Sequence, residues 1–185
     1  MAGNYIDSSV LDRAICFAVE AHRNTVRRGK GFPYIVHPME ALSIVATLTA
    51  DQELLAAAVL HDTVEDSPVS VEDIRREFGE RVAGLVEAES DVQGSWHERK
   101  KAAIEKLAAA SLDVKIVAMG DKLSNMRAIA RDYERQGDEL WKIFCTSEKK
   151  DHEWHYRGLA ESLSPLAGTE AYREFTDLID KVFGS

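Results

Sequence analysis

The residues of this chain best suited to chemistry gather in one run, HDTVED, from His61 to Asp66. It follows QELLAAAVL, whose leucines, alanines and valine cover every side of a helix and so suit the interior. Ending such a helix on an imidazole and three carboxylates carries a large desolvation cost, which partners or a metal ion normally offset. His61 and Asp62 are adjacent, about 100° apart on a helix, so both can converge on an ion lying between their directions. Glu65 stands four residues after His61 and Asp66 four after Asp62, one turn further along the same face. From there the two carboxylates could act on whatever the ion holds without ligating it. A buried helix running out into a polar loop would look similar, so support has to come from elsewhere in the chain.

Two other segments supply it. PYIVHP sets His37 at the boundary between a loop and a helix. In IVAMGDKLSNM, Asp121 interrupts an apolar face made of Val114, Ile116, Val117, Met119, Leu123 and Met126. A carboxylate there needs a strong partner, either a neighbouring cation or a metal. His37, His61, Asp62 and Asp121 together offer imidazole and carboxylate donors and no thiolate. That mix suits Mn, Fe, Co, Ni or Zn with positions left open for water, and fits a closed structural zinc site poorly. Arg23, Arg27, Arg28 and Lys30 crowd the loop just before His37, where they could hold a polyphosphate by bidentate or point-charge contacts. Lys122 and Arg127, beside Asp121, could add to them. A solvated basic loop is the plainer alternative.

Helices must position these groups, because helical period runs through nearly the whole chain. Leu11, Ala14, Ile15, Ala18, Val19 and His22 share a face behind Ser9 and Asp12, which have capping-box spacing. Residues 23–36 are polar, with glycines and Pro33, and read as a loop. Pro38 suits the first turn of the next helix, Asp51 opens the buried one, and Ser70 with Asp73 repeats the capping box. Further helical patterns cover about 80–88, 98–110, 112–132, 137–149, 152–163 and 169–183. No segment alternates with period two, so the fold class is all-α. His22 reads as a packing or ligand-supporting residue, and His97, His152 and His155 as surface residues. Tyr34 could stack on a base or anchor its loop.

Composition narrows the functions. The 185 residues suit a single domain over 1–185, and 45% hydrophobic with 30% charged residues is ordinary for a globular chain. No apolar run approaches the ~20 residues of a membrane helix, and the N-terminus lacks signal-peptide character. Cys16 and Cys145, far apart within helical patterns, suggest reduced thiols and a cytoplasmic setting. A formal charge of −9 argues against nucleic-acid binding, yet one basic cluster with a metal could still hold a small phosphorylated ligand.

The ordered set His37, His61-Asp62, Asp121 resembles that of the HD-domain metal-dependent phosphohydrolases. Within them, PYIVHP, VLHDTVEDS, EFGERVAGLV and GDKLSNMR resemble the hydrolase domain of the RelA/SpoT homologues over about residues 10–165. With no synthetase or regulatory domain in the sequence, the chain looks like a stand-alone small alarmone hydrolase. The resemblance implies a compact multi-helix HD-domain bundle with one Mn²⁺ on His37, His61, Asp62 and Asp121. It implies that Glu65 and Asp66 handle water and proton transfer, that Asn125 meets the ribose or phosphates, and that Arg27 and Arg28 lie against base and phosphates. The implied reaction removes the 3′-pyrophosphate of guanosine tetra- or pentaphosphate, giving GDP or GTP. The same residues could serve another nucleotide, such as an adenosine alarmone or the 2′-phosphate of NADPH. A silent nucleotide-binding module is the rival of another class, but it would not need Glu65 and Asp66. VRRGKGFPYI is one residue longer than the family's usual loop, Ala88 to Asp91 replace its usual V-T-[DK], and the tail EWHYRGLAESLSPL belongs to a subset without an assigned substrate. These departures bear on substrate identity and leave the proposed ligands intact.

Overall fold

The computed structural model describes residues 8–27, 29–89, 93–144, 146 and 148–184. Among them the chain is helical, with one isolated β-bridge between Val26 and Pro33 pinching the loop before the second helix. In chain order the helices are α1 (Ser9–Ala21), α2 (Val36–Val45), α3 (Gln52–Leu60), α4 (Thr63–Asp66) and α5 (Val71–Phe78). They continue as α6 (Glu80–Glu89), α7 (Trp96–Ala109), α8 (Leu112–Gln136), α9 (Lys149–Ser162) and α10 (Glu170–Phe183).

Capping chemistry sets most of the starts. Asp51 accepts the Glu53 amide at 2.9 Å to open α3. Ser70 with Asp73 and Ser95 with Glu98 form full capping boxes for α5 and α7. The first helix differs from expectation. Ser8, not Ser9, is its N-cap, and the Ser8 hydroxyl donates to the Asp12 carboxylate at 2.9 Å instead of accepting an amide. The pattern at 137–149 is not one helix either. Gly137 takes φ +57°, ends α8, and starts a 3₁₀ turn over Gly137–Ile143 that drives Leu140 and Trp141 into the core.

Two apolar clusters fill the interior. One surrounds α3, whose residues from Leu54 to Leu60 are all buried against α1, α2, α6 and α8. The other lies between α8, α9, α10 and the 3₁₀ turn, with Met119, Met126, Trp141, Leu159 and Phe175 fully enclosed. His152 belongs here and not at the surface, because Trp141 stacks on its ring at 4.9 Å and its Nε2 meets the Thr146 carbonyl at 3.0 Å. At the α2–α8 contact the two backbones approach closely. A Cβ on Gly120 would stand 2.7 Å from the Ala41 carbonyl oxygen and from Val45 Cγ2, so only glycine lets these helices meet there. Asp121 is the next residue.

Candidate metal centre

Three elements deliver the donors to one point: the start of α2 brings His37, the end of α3 brings His61 and Asp62, and the middle of α8 brings Asp121. The third helix stops at Leu60, and α4 restarts after the turn at His61 and Asp62. Thr63 Oγ1 bonds the Leu60 carbonyl at 2.7 Å across that turn. His61 and Asp62 keep right-handed helical dihedrals through that turn, and the two adjacent side chains reach one place.

The His37 and His61 Nε2 atoms are 3.3 Å apart. Asp121 Oδ1 lies 3.1 Å from the first and 3.6 Å from the second. Asp62 Oδ2 lies 3.4 Å and 3.0 Å from the same two nitrogens. Donors held about 2.1 Å from one ion stand about 3.0–3.4 Å apart across the edges of an octahedron or tetrahedron. The ligating atoms of His37, His61 and Asp121 all fall within 4.8 Å of one another. Both rings have their other nitrogen engaged: His61 Nδ1 with the Ala58 carbonyl at 2.8 Å, His37 Nδ1 with Ser124 Oγ at 2.8 Å. Those bonds leave each Nε2 lone pair directed at the cluster. The residues present fit a divalent ion.

The electrostatics agree. Burial pushes the Asp121 carboxyl toward its neutral form, but Lys122 and the two imidazoles outweigh it and hold the group well below the usual carboxylate range. Asp62 is likewise held low, with His61 and His37 overcoming burial. Burial opposes a charge on His61, yet Asp62 and Asp121 draw a proton to it, so a cation sharing those carboxylates would compete with that proton. Lys122 bonds Asp121 Oδ2 at 2.6 Å and Glu89 at 3.1 Å.

A family model for the HD domain matches residues 14–146. The chain belongs to the HD-domain family. Curated relatives include a probable guanosine-3′,5′-bis(diphosphate) 3′-pyrophosphohydrolase of Synechocystis, 31% identical over 92% of this chain, of which the chain spans 24%. Another is the guanosine-3′,5′-bis(diphosphate) 3′-pyrophosphohydrolase MESH1 of Danio rerio, 35% identical over 91% of this chain and 90% of its own length. This HD domain thus spans about a quarter of the first and nearly all of the second. Among solved structures, one of a metazoan ortholog of SpoT superposes with a TM-score of 0.74 at 24% identity, covering 97% of each chain. A crystal structure from Listeria monocytogenes gives 0.73 at 27% identity, covering 80% of this chain and 99% of that one.

The surroundings of the HD cluster sort the other candidates. A cavity of about 190 Å³ opens on it, lined also by Tyr34, Glu65, Lys100 and Asn125. Glu65 is therefore at the site, whereas Asp66 sits beyond the lining and acts on the Tyr34 hydroxyl and the His22 ring. Asn125 donates to Asp121 Oδ1 at 2.5 Å and accepts from Arg27 at 2.5 Å. Arg27 also lies over the Tyr34 ring, 5.6 Å from its centroid, in an adjoining cavity of about 240 Å³. Arg28 falls outside the described residues. The rest of the basic loop is not gathered as the sequence suggests: Arg23 turns outward to Glu20, and Lys30 is paired with Asp132. Arg127 lies away from the centre, bidentate on Glu174 at 2.7 Å. Tyr34 neither stacks freely nor merely anchors, since its hydroxyl donates to Asp62 Oδ2 at 2.7 Å. His22 is buried with its ring 4.9 Å from that of Tyr34, matching its reading as a packing residue.

Proposed function

We propose that this HD domain is a single-domain, metal-dependent hydrolase that removes the 3′-pyrophosphate of guanosine tetra- or pentaphosphate, releasing GDP or GTP. In this reading His37, His61, Asp62 and Asp121 hold one Mn²⁺. A divalent ion there supplies Lewis acidity to the phosphoryl group and makes water more acidic. The chain's own residues do the rest. Glu65, facing the cavity, orients the attacking water and takes its proton, and Asp66 supports it from the next position through Tyr34. Arg27 and Arg28 take the nucleotide's base and phosphates, Asn125 the ribose side, and Lys122 offsets the anionic charge gathered beside Asp121. A phosphorylated nucleotide is the partner, with no role for nucleic acid. The names carried by the relatives in Synechocystis and Danio rerio support the substrate class. The proposed site of action is cytoplasmic; no helix among the described residues is long and apolar enough to cross a membrane.

The observation that carries this reading is the convergence of the His37 and His61 Nε2 atoms on Asp62 Oδ2 and Asp121 Oδ1, every N–O pair within 3.6 Å, on a polar cavity. The test incubates the Mn²⁺-loaded protein with guanosine and adenosine 3′-pyrophosphorylated nucleotides and with NADPH. Pyrophosphate released fastest from the guanosine compounds is the expected result. Phosphate from NADPH alone, or no release from any member, would refute the assignment.

A further inference from the structure

On α2, Glu40 follows His37 by three residues, and on α8, Ser124 follows Asp121 by three, so each helix shows a donor and a second polar residue on one face. The two pairs meet across the helix contact that Gly120 permits. Ser124 is buried, and its hydroxyl has one proton to give. Glu40 Oε2, 2.8 Å away, is a carboxylate oxygen with none, so Ser124 donates to it. The Ser124 lone pair is then left to accept from His37 Nδ1–H at 2.8 Å. This fixes the ring's tautomer and directs Nε2 at the cluster. Glu40 is in turn steadied from the far side. Its Oε1 accepts from Arg127 Nη1 at 3.4 Å, while Nε and Nη2 of the same guanidinium are anchored on Glu174 of α10 at 2.7 Å.

We infer that Ser124 and Glu40 are positioning residues for the metal centre, working as a serine-bridged carboxylate–histidine relay braced by the C-terminal helix through Arg127. Hydrogen bonds to the outer nitrogen of a ligating imidazole raise its basicity and lock its orientation. Here the carboxylate reaches the ring through a hydroxyl, which adds a second point of control. Glu40 keeps a quarter of its side chain exposed, so removing it leaves no buried charge stranded. Ser124→Ala deletes only a hydroxyl from a packed position. Both variants should therefore fold.

The inference rests on the metal reading proposed above, and the experiment separates the two. Metal-stripped parent, Ser124→Ala, Glu40→Ala, Glu40→Gln, the Ser124→Ala/Glu40→Ala double variant and His61→Ala are titrated with Mn²⁺ against a competing chelator, with thermal melts of each apo form alongside. Ser124→Ala and Glu40→Ala should each weaken Mn²⁺ binding by about 10- to 100-fold. Glu40→Gln should lose less, because its amide oxygen still accepts the serine proton. The double variant should bind no worse than Ser124→Ala, since both changes break one link. Parent-like affinity in Ser124→Ala and Glu40→Ala, with the ion lost in His61→Ala, would overturn the relay alone. So would additive losses in the double variant, or lower melting temperatures with affinity unchanged. Parent-like affinity in His61→Ala would overturn the metal reading and the relay together.

Discussion

Glu65 and Asp66 look equivalent in the sequence, one turn beyond a ligand each, yet the fold separates them. Glu65 lines the cavity, and Asp66 bears on the Tyr34 hydroxyl instead. Glu65→Gln should keep the metal and lower kcat by about 10²–10⁴, the range for losing a general acid–base group. Asp66→Asn should cut kcat by less. Steady-state kinetics with metal content measured on the same samples checks this, and equal wild-type rates in both would make the pair structural. Arg27 is the described cation of the loop that reaches the site, through Asn125 and the Tyr34 ring. Losing a charge-assisted contact costs about 1.5–3 kcal/mol, so Arg27→Ala should raise KM roughly ten-fold or more with metal content unchanged. The effect should shrink in high salt, because this rim is partly solvated and screened. An unaltered KM would move substrate recognition to the Lys100 and Lys122 wall.

The elements position those residues through backbone contact as much as through side chains. Gly120 sits where α8 crosses α2, one residue from Asp121 and on the helix that faces His37. Gly120→Ala gains about 1 kcal/mol of helix propensity. The added methyl meets a carbonyl oxygen and a packed valine, and overpacking of that kind costs about 1–3 kcal/mol. The helices must part, carrying His37 away from Asp121. Chemical denaturation should show a net loss of stability, and metal titration a weaker site. A variant as stable as the parent with full affinity would contradict this. Little in the sequence announces the contact, since a glycine inside a helical pattern reads only as a weak residue. Of the four proposed ligands, His61 and Asp62 stood out at the end of an apolar helix and Asp121 within an apolar face, while His37, at a loop–helix boundary, joined them through the family resemblance. Ser124 and Glu40 were not legible, because serine and glutamate are unremarkable on a helix and their meaning lies in the other helix. The caps at Asp51 and Ser70 were legible from spacing. The turn at 137–143 was not, because burial of Leu140 and Trp141 overrode an otherwise helical pattern. The pairing of Lys30 with Asp132 and of Arg127 with Glu174 was not legible, because sequence order hides acids that come from across the fold, whereas Arg23 turns to Glu20 only three residues before it.

At the scale of the molecule, a protein of net charge −9 brings the buried His37, His61 and Asp121 to one crossing of three elements. At three other histidines, His22, His152 and His155, burial disfavours the charged form. Burial, with Lys100 and Lys122 adding to it, takes His155 down to about 3, and burial lowers His22 and His152 as well. Below about pH 6.5 the unfolded chain takes up protons at these positions that the folded chain refuses, so stability falls as pH drops toward 3. In the metal-loaded protein acid also protonates the ligands, which acts in the same direction. Urea midpoints at pH 7 and pH 5 should show the loss, and an equal or higher midpoint at pH 5 would contradict it. Everything proposed for substrate, proton transfer and relay depends on the ion, so metal stoichiometry by elemental analysis tests the account most directly. Parent protein loaded with Mn²⁺ and desalted should carry one ion per chain, while His61→Ala and Asp121→Ala should carry none and keep the parent's helical circular dichroism. Parent protein without a stoichiometric ion, or either variant retaining it, would contradict the account at its centre.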